Sequence, residues 1–396
     1  MASRMTFQFL DVGMGDGTLV QIRPEGQAYD TLVLVDFGEE KSQFKVALQD
    51  ALTYMRRTVA ANSKGRGSEV PYIDYLFITH SDADHHNKLS ELVKPAFPGY
   101  EDKPLHFGAV YYGGVGTEYG TLVADLEKLS KSVSDLRDQY HARILPDKTV
   151  VPDFEVGDIK VYILSVNYPS KTGKTNPKSI VLMFDLGGQK VILQGDAEKG
   201  TEGWILKEFG HIPGFLEVVG HKLGHHGSNG GTSPEWVAAL KPKAIFASGD
   251  FNWAHPYCNP ICRVLAGNTL AAYDDLWYCC GHRGEYFNNH HSVAVCMNLW
   301  YFVKSPKAEP LIVFPGQEVK WAGTGVTFGV QWALQITAGA KPSLLRTDAV
   351  IPYDVLKIPP GWDCSKKALR GLADAPTAEM DGEDYFTFST VPPVTL

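Results

Sequence analysis

Six cysteines in 396 residues are too few to frame a chain of this length with disulfides, and none stands in a C-x-x-C pair. Cys258, Cys262, Cys279 and Cys280 lie close together in sequence, but their spacing reads as core thiols rather than a zinc knot. Long apolar runs are also lacking, so no bilayer-spanning helix is expected. The opening residues Met1-Ala2-Ser3-Arg4-Met5 lead straight into a strand pattern. They carry no signal-peptide core or cleavage site, which points to a cytoplasmic protein. A basic excess is missing: 37 Lys and Arg face 45 Asp and Glu, for a net charge of −8. That argues against a broad basic groove for nucleic acid and leaves a local patch or bound cations to meet an anionic ligand. Solenoid repeats and low-complexity segments are absent as well. What remains is ordinary globular composition, 44% apolar and 21% charged, long enough for one large domain with an appendage.

The first third alternates strands, turns and helices. Thr6–Val12, Thr18–Ile22 and Thr31–Val35 read as strands, with a glycine-rich turn from Gly13 to Gly17. Phe44, Ala47, Leu48, Ala51, Leu52 and Met55 recur at helical spacing and predict about four turns of helix. Ser63–Ser68 reads as a loop and Ile73–Thr79 as a strand. A short helix after His86 and a strand over His106–Tyr112 follow. Leu122–Tyr140 reads as one charged amphipathic helix. The alternation Ile159, Val161, Ile163 marks a strand, and Ser179–Asp185 with Lys190–Leu193 predicts a hairpin through Gly187-Gly188. Helices are expected at Trp204–Phe209, Pro234–Leu240 and Pro256–Leu265, with strands near Val218-Val219 and over Ala244–Ala247. Val326 to Ile336 alternates without a break and reads as one half-buried strand. Early strand–strand hairpins exclude a pure βαβ series, so an α/β arrangement of mixed sheets flanked by helices is expected. Two regions are expected: a hydrolase-like domain over 1–300 and a β-rich extension over 301–396, packed on it and open to a protein partner.

The densest chemistry is His80-Ser81-Asp82-Ala83-Asp84-His85, four metal-binding side chains in six residues directly after a buried-strand pattern. Imidazole and carboxylate together suit zinc or manganese, and iron remains open. Asp196, in Leu193-Gln194-Gly195-Asp196, and the pair His225-His226 also follow apolar runs. In a turning backbone His80 and Asp82 point the same way and can share one ion, leaving Asp84 and His85 for a second. Asp196 has two acceptor oxygens and suits bridging. His226 would close the site. So many ligands imply two divalent ions, with a shared water whose pKa falls to about 7.

These blocks resemble the metallo-β-lactamase-fold hydrolases, and among them the soluble hydrolase domain of ComEC-type competence proteins. The resemblance rests on Phe9-Leu10-Asp11-Val12-Gly13-Met14-Gly15-Asp16-Gly17, Leu34-Val35-Asp36-Phe37-Gly38 and Ile78-Thr79-His80 through His85. Asn176-Pro177-Lys178-Ser179, Gly195-Asp196-Ala197-Glu198, His225-His226-Gly227-Ser228 and Ser248-Gly249-Asp250 through His255-Pro256 follow in family order. It covers roughly residues 5 to 270. It implies an αββα sandwich, two divalent ions (Zn2+ foremost, Mn2+ next) and hydrolysis of a phosphodiester. By position, His80, Asp82, Asp84, His85, Asp196 and His226 would be ligands. His225, which could exchange roles with His226, would stand on the phosphate side; Asn252 and His255 would meet the phosphate or leaving group, and Asp36 would orient the metal loop. Asp82 stands where lactamases carry a second histidine. The third histidine element of lactamases is missing; His106 and His141 lie in the wrong context, so Asn176 or solvent takes that place. His86-Asn87-Lys88 replaces the two glycines usual after the metal loop, and His86 could contact substrate. No stretch of this sequence matches the membrane channel of the full competence protein, so DNA uptake is not an expectation here.

Plainer readings stand beside several of these residues. Asp36 could be a strand-end cap, Asn252 a turn cap, and His255 a ring held by backbone before Pro256. Gly13–Gly17 could be a phosphate cradle or simply a tight turn. Lys222 could steer a phosphate, but a solvated lysine is the commoner outcome. Gly173-Lys174-Thr175 is not a P-loop, because Tyr168 occupies the required first glycine and Pro177 stops the helix that should follow. The functions that fit are a phosphodiesterase or nuclease on DNA or RNA, a hydrolase of small phosphodiesters such as phosphocholine-type esters, or a metal-stabilised component that a partner switches on.

Overall fold

The computed structural model describes residues 2–10, 12, 15–39, 45–136, 140–169, 174–242, 244–248, 260, 311–313, 316–319, 326–330, 332–347, 351–352 and 387–391. The first six strands are β1 (Arg4–Phe9), β2 (Gly17–Arg23), β3 (Thr31–Phe37), β4 (Tyr72–Ile78), β5 (His106–Gly113) and β6 (Ser130–Leu136). The next six are β7 (Phe154–Val156), β8 (Ile159–Ser165), β9 (Val181–Leu186), β10 (Gln189–Leu193), β11 (Gly220–Lys222) and β12 (Ala244–Phe246). The C-terminal third adds β13 (Leu311–Val313), β14 (Gly316–Val319), β15 (Val326–Val330), β16 (Trp332–Thr337), β17 (Ser343–Thr347), β18 (Ile351–Pro352) and β19 (Thr387–Val391). The helices are α1 (Lys45–Gly65), α2 (Ala83–His86), α3 (Leu89–Leu92), α4 (Leu122–Leu129), α5 (Lys199–Phe209) and α6 (Pro234–Leu240).

Two sheets dominate. One runs β19-β17-β16-β1-β2-β3-β4-β5-β6 and the other β13-β12-β11-β10-β9-β8-β7, while β14, β15 and β18 form a small third sheet. Period-two alternation sends neighbouring residues to opposite faces. On β2 and β3, Val20, Ile22, Val33 and Val35 point inward and meet Val161, Ile163, Leu182, Phe184 and Val191 of the second sheet. Phe9 stacks on Phe246 and Phe7 meets Phe184 edge-on across this interface. Leu19, Leu32 and Leu34 point outward beneath Leu48, Leu52, Met55 and Val59 of α1. The outer face of the second sheet, with Leu164, Met183 and Ile192, is covered by Ile205 and Phe209 of α5 and Trp236 and Leu240 of α6. The central strands of both sheets are buried on both faces. The order helix, sheet, sheet, helix is the αββα sandwich of the metallo-β-lactamase fold.

Most expected elements are present within a few residues. α6 covers Pro234–Leu240 as expected; Pro234 opens it and Ser233 Oγ accepts from the Trp236 N–H. α1 runs on to Gly65, into the stretch expected as a loop. The single helix expected over Leu122–Tyr140 is instead α4 followed by β6, which pairs in parallel with β5. The unbroken strand expected over Val326–Ile336 is two strands, β15 in the small sheet and β16 paired antiparallel with β1. Residues after 300 thus supply strands to both large sheets. Asn252, His255, the cysteine group and most of the helix expected at Pro256–Leu265 lie outside the described residues.

Candidate metal centre

β4 is parallel to its neighbours β3 and β5, and the loop beyond its carboxyl end carries the metal-binding cluster. His80 is fully buried. Asp82 precedes α2, and Asp84 and His85 lie within its single turn. Asp196 follows β10, and His225-His226 follow β11, which pairs in parallel with β10. Three chain segments therefore converge at one end of the sandwich.

Asp196 lies at the middle of the cluster. Its Oδ1 is 3.2 Å from His85 Nε2 and 3.7 Å from His226 Nε2. Its Oδ2 is 3.7 Å from His80 Nε2 and 3.9 Å from His225 Nε2. Asp82 Oδ2 is 3.4 Å from His80 Nε2, and Asp84 Oδ2 is 3.0 Å from His226 Nε2 and 3.9 Å from His85 Nε2. The donor set divides into a His80–Asp82 side and a His85–Asp84–His226 side, each facing a different oxygen of one carboxylate.

The far nitrogen of each ring is anchored. His80 Nδ1 lies 3.1 Å from Thr79 Oγ1, whose hydroxyl donates to Asp36. His85 Nδ1 lies 2.8 Å from Asp36 Oδ2, and His226 Nδ1 lies 2.7 Å from the Ser248 carbonyl. Each anchor accepts the Nδ1 proton, so Nε2 is the nitrogen that points inward and offers its lone pair once it is deprotonated, as a metal ligand must be. His80 Nε2, His85 Nε2 and Asp196 Oδ1 are buried and make no directed hydrogen bond. Buried polar atoms are normally paired. Among the described residues, His80–His85–Asp196 and Asp84–His85–His226 each place ligand atoms within 4.8 Å of one another. The donor chemistry and the unpaired atoms fit divalent cations.

Electrostatics agree. Burial alone would raise the Asp84 carboxyl, but the charges of His85 and His226 outweigh it and hold it well below the usual carboxylate range. Asp196 is likewise driven well down against burial, first by His85 and then by His226. Burial would lower His226, yet Asp196 and Asp84 push it up to about 9. The carboxylates thus remain charged and hold protons on the His85 and His226 rings until a stronger cation displaces those protons.

Backbone strain concentrates here. Among the described non-glycine residues, Asp36, His225 and His226 have φ of 57°, 47° and 53°. Such conformations cost of order ~1–3 kcal/mol each and collect at functional sites. The glycines around the loop allow close approach. A side chain at Gly15 would strike the Gly38 carbonyl, and one at Gly38 would strike the Asp84 and His85 backbone. The Asp16 N–H donates to the Asp84 carbonyl at 3.0 Å, and the Gly38 N–H to the Asp16 carbonyl at 3.0 Å. The described part of the glycine-rich turn therefore clamps the metal loop.

His225 Nδ1 lies 2.8 Å from Glu198 Oε1. Asn176 Nδ2 is 3.2 Å from the same ring, and Thr175 Oγ1 donates to Asp82 Oδ1 at 2.6 Å. Asn176 therefore meets His225. Ser179 Oγ, 3.4 Å from His80 Nδ1, also accepts from the Asp196 N–H. His86 turns to the Ser81 carbonyl at 3.0 Å and rests on Tyr119, so it braces the loop. His106 opens β5, at the end of the sheet away from His80, and His141 rests on Trp204 and Phe209. Lys222, expected in solvent, is buried and ion-paired with Asp16. Glu198, Thr175, Ser248 and the Asp16–Lys222 pair were missed as members of the site. Asp16, Glu198 and Ser248 do lie inside the family-like blocks.

The fold and this cluster together define a metallo-β-lactamase-fold protein with a His/Asp metal-binding centre. Its sequence resembles the ComEC-type competence proteins. It is 28% identical over 291 residues to ComE operon protein 3 of Bacillus subtilis (strain 168), covering 68% of this chain and 32% of that protein. It is 26% identical over 259 residues to Recombination protein 2 of Haemophilus influenzae (strain ATCC 51907 / DSM 11121 / KW20 / Rd), covering 64% of this chain and 26% of that one. The matched region spans a third or less of these curated relatives. No family model matches the chain. Similar solved structures include unliganded yeast PDE1 (13% identity, TM-score 0.34, 62% of this chain and 87% of that one). A diphosphatase of the PhnP family is also similar (14%, TM-score 0.32, 62% and 85%). No helix among the described residues is long and apolar enough to cross a membrane.

Proposed function

We propose that the chain is a dinuclear metal-dependent hydrolase of phosphodiesters, with a nucleic-acid strand as its leading substrate. The observation that carries this reading is the Asp196 carboxylate, whose two oxygens face two separate sets of imidazole nitrogens. In this reading His80 and Asp82 would hold one ion, Asp84, His85 and His226 would hold the other, and Asp196 would offer one oxygen to each side. Zinc or manganese fits these N and O donors. When bound, two such ions would neutralise charge on a phosphoryl oxygen and make a nucleophile available at neutral pH.

The chain's own residues supply the rest. His225, held through Nδ1 by Glu198, turns Nε2 toward the Asp196 side of the site and is suited to pass a proton to a leaving oxygen. By the family resemblance, Asn252 and His255 would assist at the leaving group. Lys178, ion-paired with Glu118, lies two residues after Asn176, and Glu198 is held below its usual range first by the His225 hydrogen bond and further by the charge of Lys174. These cations offer local attraction for a polyanion on a chain of net charge −8. That same acidic balance supports a second reading, hydrolysis of a small phosphodiester. A protein partner acting through residues 301–396 would fit either reading.

The test pairs elemental analysis with hydrolysis of bis-p-nitrophenyl phosphate in zinc or manganese. About two ions per chain, and turnover abolished by chelation and by Asp84→Ala, are expected. Turnover that persists in the metal-free protein would end this reading. Binding to single-stranded DNA with a steep salt dependence would favour nucleic acid over a small diester.

A further inference from the structure

Asp16, Asp36 and His85 form a third buried group whose ligand atoms lie within 4.8 Å of one another. Its Asp16 already has a cation from the chain itself. The Lys222 ammonium contacts Asp16 Oδ2 directly, with 4% of the lysine side chain and 3% of the aspartate exposed. An unpaired carboxylate at that depth would be strongly disfavoured, and so would an unpaired ammonium.

Asp16 connects to the His85–Asp84–His226 side of the metal centre by several routes. Its backbone N–H donates to the Asp84 carbonyl, and its own carbonyl accepts from Gly38. Its Oδ1 accepts from Ser248 Oγ at 3.0 Å, and the Ser248 carbonyl accepts from His226 Nδ1 at 2.7 Å. Its Oδ2 lies 3.9 Å from His85 Nδ1. The Asp16 side chain thus touches, directly or through one residue, both histidines on the His85–Asp84–His226 side. Lys222 ends β11 and lies four residues before His226, so it ties the strand that presents His226 to the turn that clamps Asp84.

Charge leads to the same place. Asp16, Asp36, Asp82, Asp84 and Asp196 crowd around the three histidines. Two divalent ions and one ammonium balance five carboxylates when the histidines are neutral. A mobile third metal in the Asp16–Asp36–His85 group would compete for His85, whereas a tethered ammonium cannot leave or coordinate.

We propose that Lys222 is a positioning residue of the metal centre: a built-in monovalent cation that fixes Asp16 and through it orients His226 and His85. The proposal rests on the two-metal reading above. Losing an outer partner of a metal ligand typically weakens binding about 10–100-fold. Lys222→Met should therefore weaken one of two binding steps by that factor while leaving the other within about threefold.

The full-length protein, stripped of metal, is titrated with Co2+ by visible absorption and with Zn2+ by chelator competition. Wild type should take two equivalents. Lys222→Met should show the second step shifted to higher Co2+ and a first-equivalent spectrum matching that of His226→Ala. Should Lys222→Met fail to fold, Asp16→Asn/Lys222→Met removes both buried charges, and the same shift is expected there. Two wild-type affinities in a folded double variant would overturn the role of Lys222 and leave the two-metal reading standing. A wild-type protein that takes up no metal would remove both.

Discussion

Asp36 determines which nitrogen of His85 faces the metal centre. Its Oδ2 lies 2.8 Å from His85 Nδ1, and its Oδ1 accepts the Thr79 N–H at 2.7 Å. The Thr79 hydroxyl donates to the same carboxylate and lies 3.1 Å from His80 Nδ1. One buried side chain at the end of β3 therefore orients the rings of both histidines in the metal loop.

Asp36→Ala should lower metal affinity about 10–100-fold, the usual effect of losing an outer partner. Both binding steps should weaken, because both rings lose their anchor. Chelator competition with zinc would read this; an unchanged affinity in a folded variant would reduce Asp36 to a strand-end cap.

Gly38→Ala should displace the metal loop. The added methyl would overlap the backbone of Asp84 and His85. Overpacking of this kind costs about 1–3 kcal/mol. Denaturant melts should show that loss, and the variant should also retain less metal after dialysis. A variant with wild-type stability and metal content would mean that the loop has room to yield.

Metal binding should release protons. His226 is raised to about 9 in the metal-free protein, where burial is outweighed by Asp196 and Asp84, and it must be neutral to act as a ligand. Affinity should climb as pH rises toward 9 and level off above it. The same raised pKa stabilises the metal-free fold fully below about 6.5, the unfolded value, and that contribution fades as pH rises through 9. Calorimetric titrations at pH 7.5 in buffers of different ionisation enthalpy would measure the release; heats independent of buffer would contradict it.

His221 should make the protein acid-sensitive. It is fully buried, donates Nε2–H to Gln194 Oε1 at 2.7 Å, and has no partner for Nδ1. Burial, with the Lys222 charge beside it, pushes its pKa down to about 3. The unfolded chain protonates near 6.5, so this contribution is complete above that pH. It should fall by up to about 1.4 kcal/mol per pH unit from 6.5 toward 3. His221→Gln should flatten the stability profile over that window in the metal-free protein, and parallel profiles would argue against it.

Much of this was legible in the chain because metal loops are local. His80 to His85 and the strand before them are consecutive, and Asp196 and His226 end their own apolar runs. What escaped depends on distant partners. Asp16 and Lys222 are 206 residues apart, and nothing near Lys222 signals burial. The expected helix over Leu122–Tyr140 failed for another reason. Leu122, Leu126, Leu129, Val133 and Leu136 keep helical spacing throughout, yet the second half pairs with β5 as a strand. Tertiary pairing overrode a genuine local pattern. The Val326–Ile336 alternation carried no mark of the change of sheet between β15 and β16.

The placement of β16 bears on how the molecule assembles. β1 pairs with β2 on one side and with β16 on the other, Phe7 facing Leu334. A nascent chain would hold the first strand with one edge bare until some 330 further residues had emerged. Such long-range closure slows folding and leaves a template for mispairing. Fragments ending before β16 would therefore be expected to aggregate even with every residue of the metal loop in place.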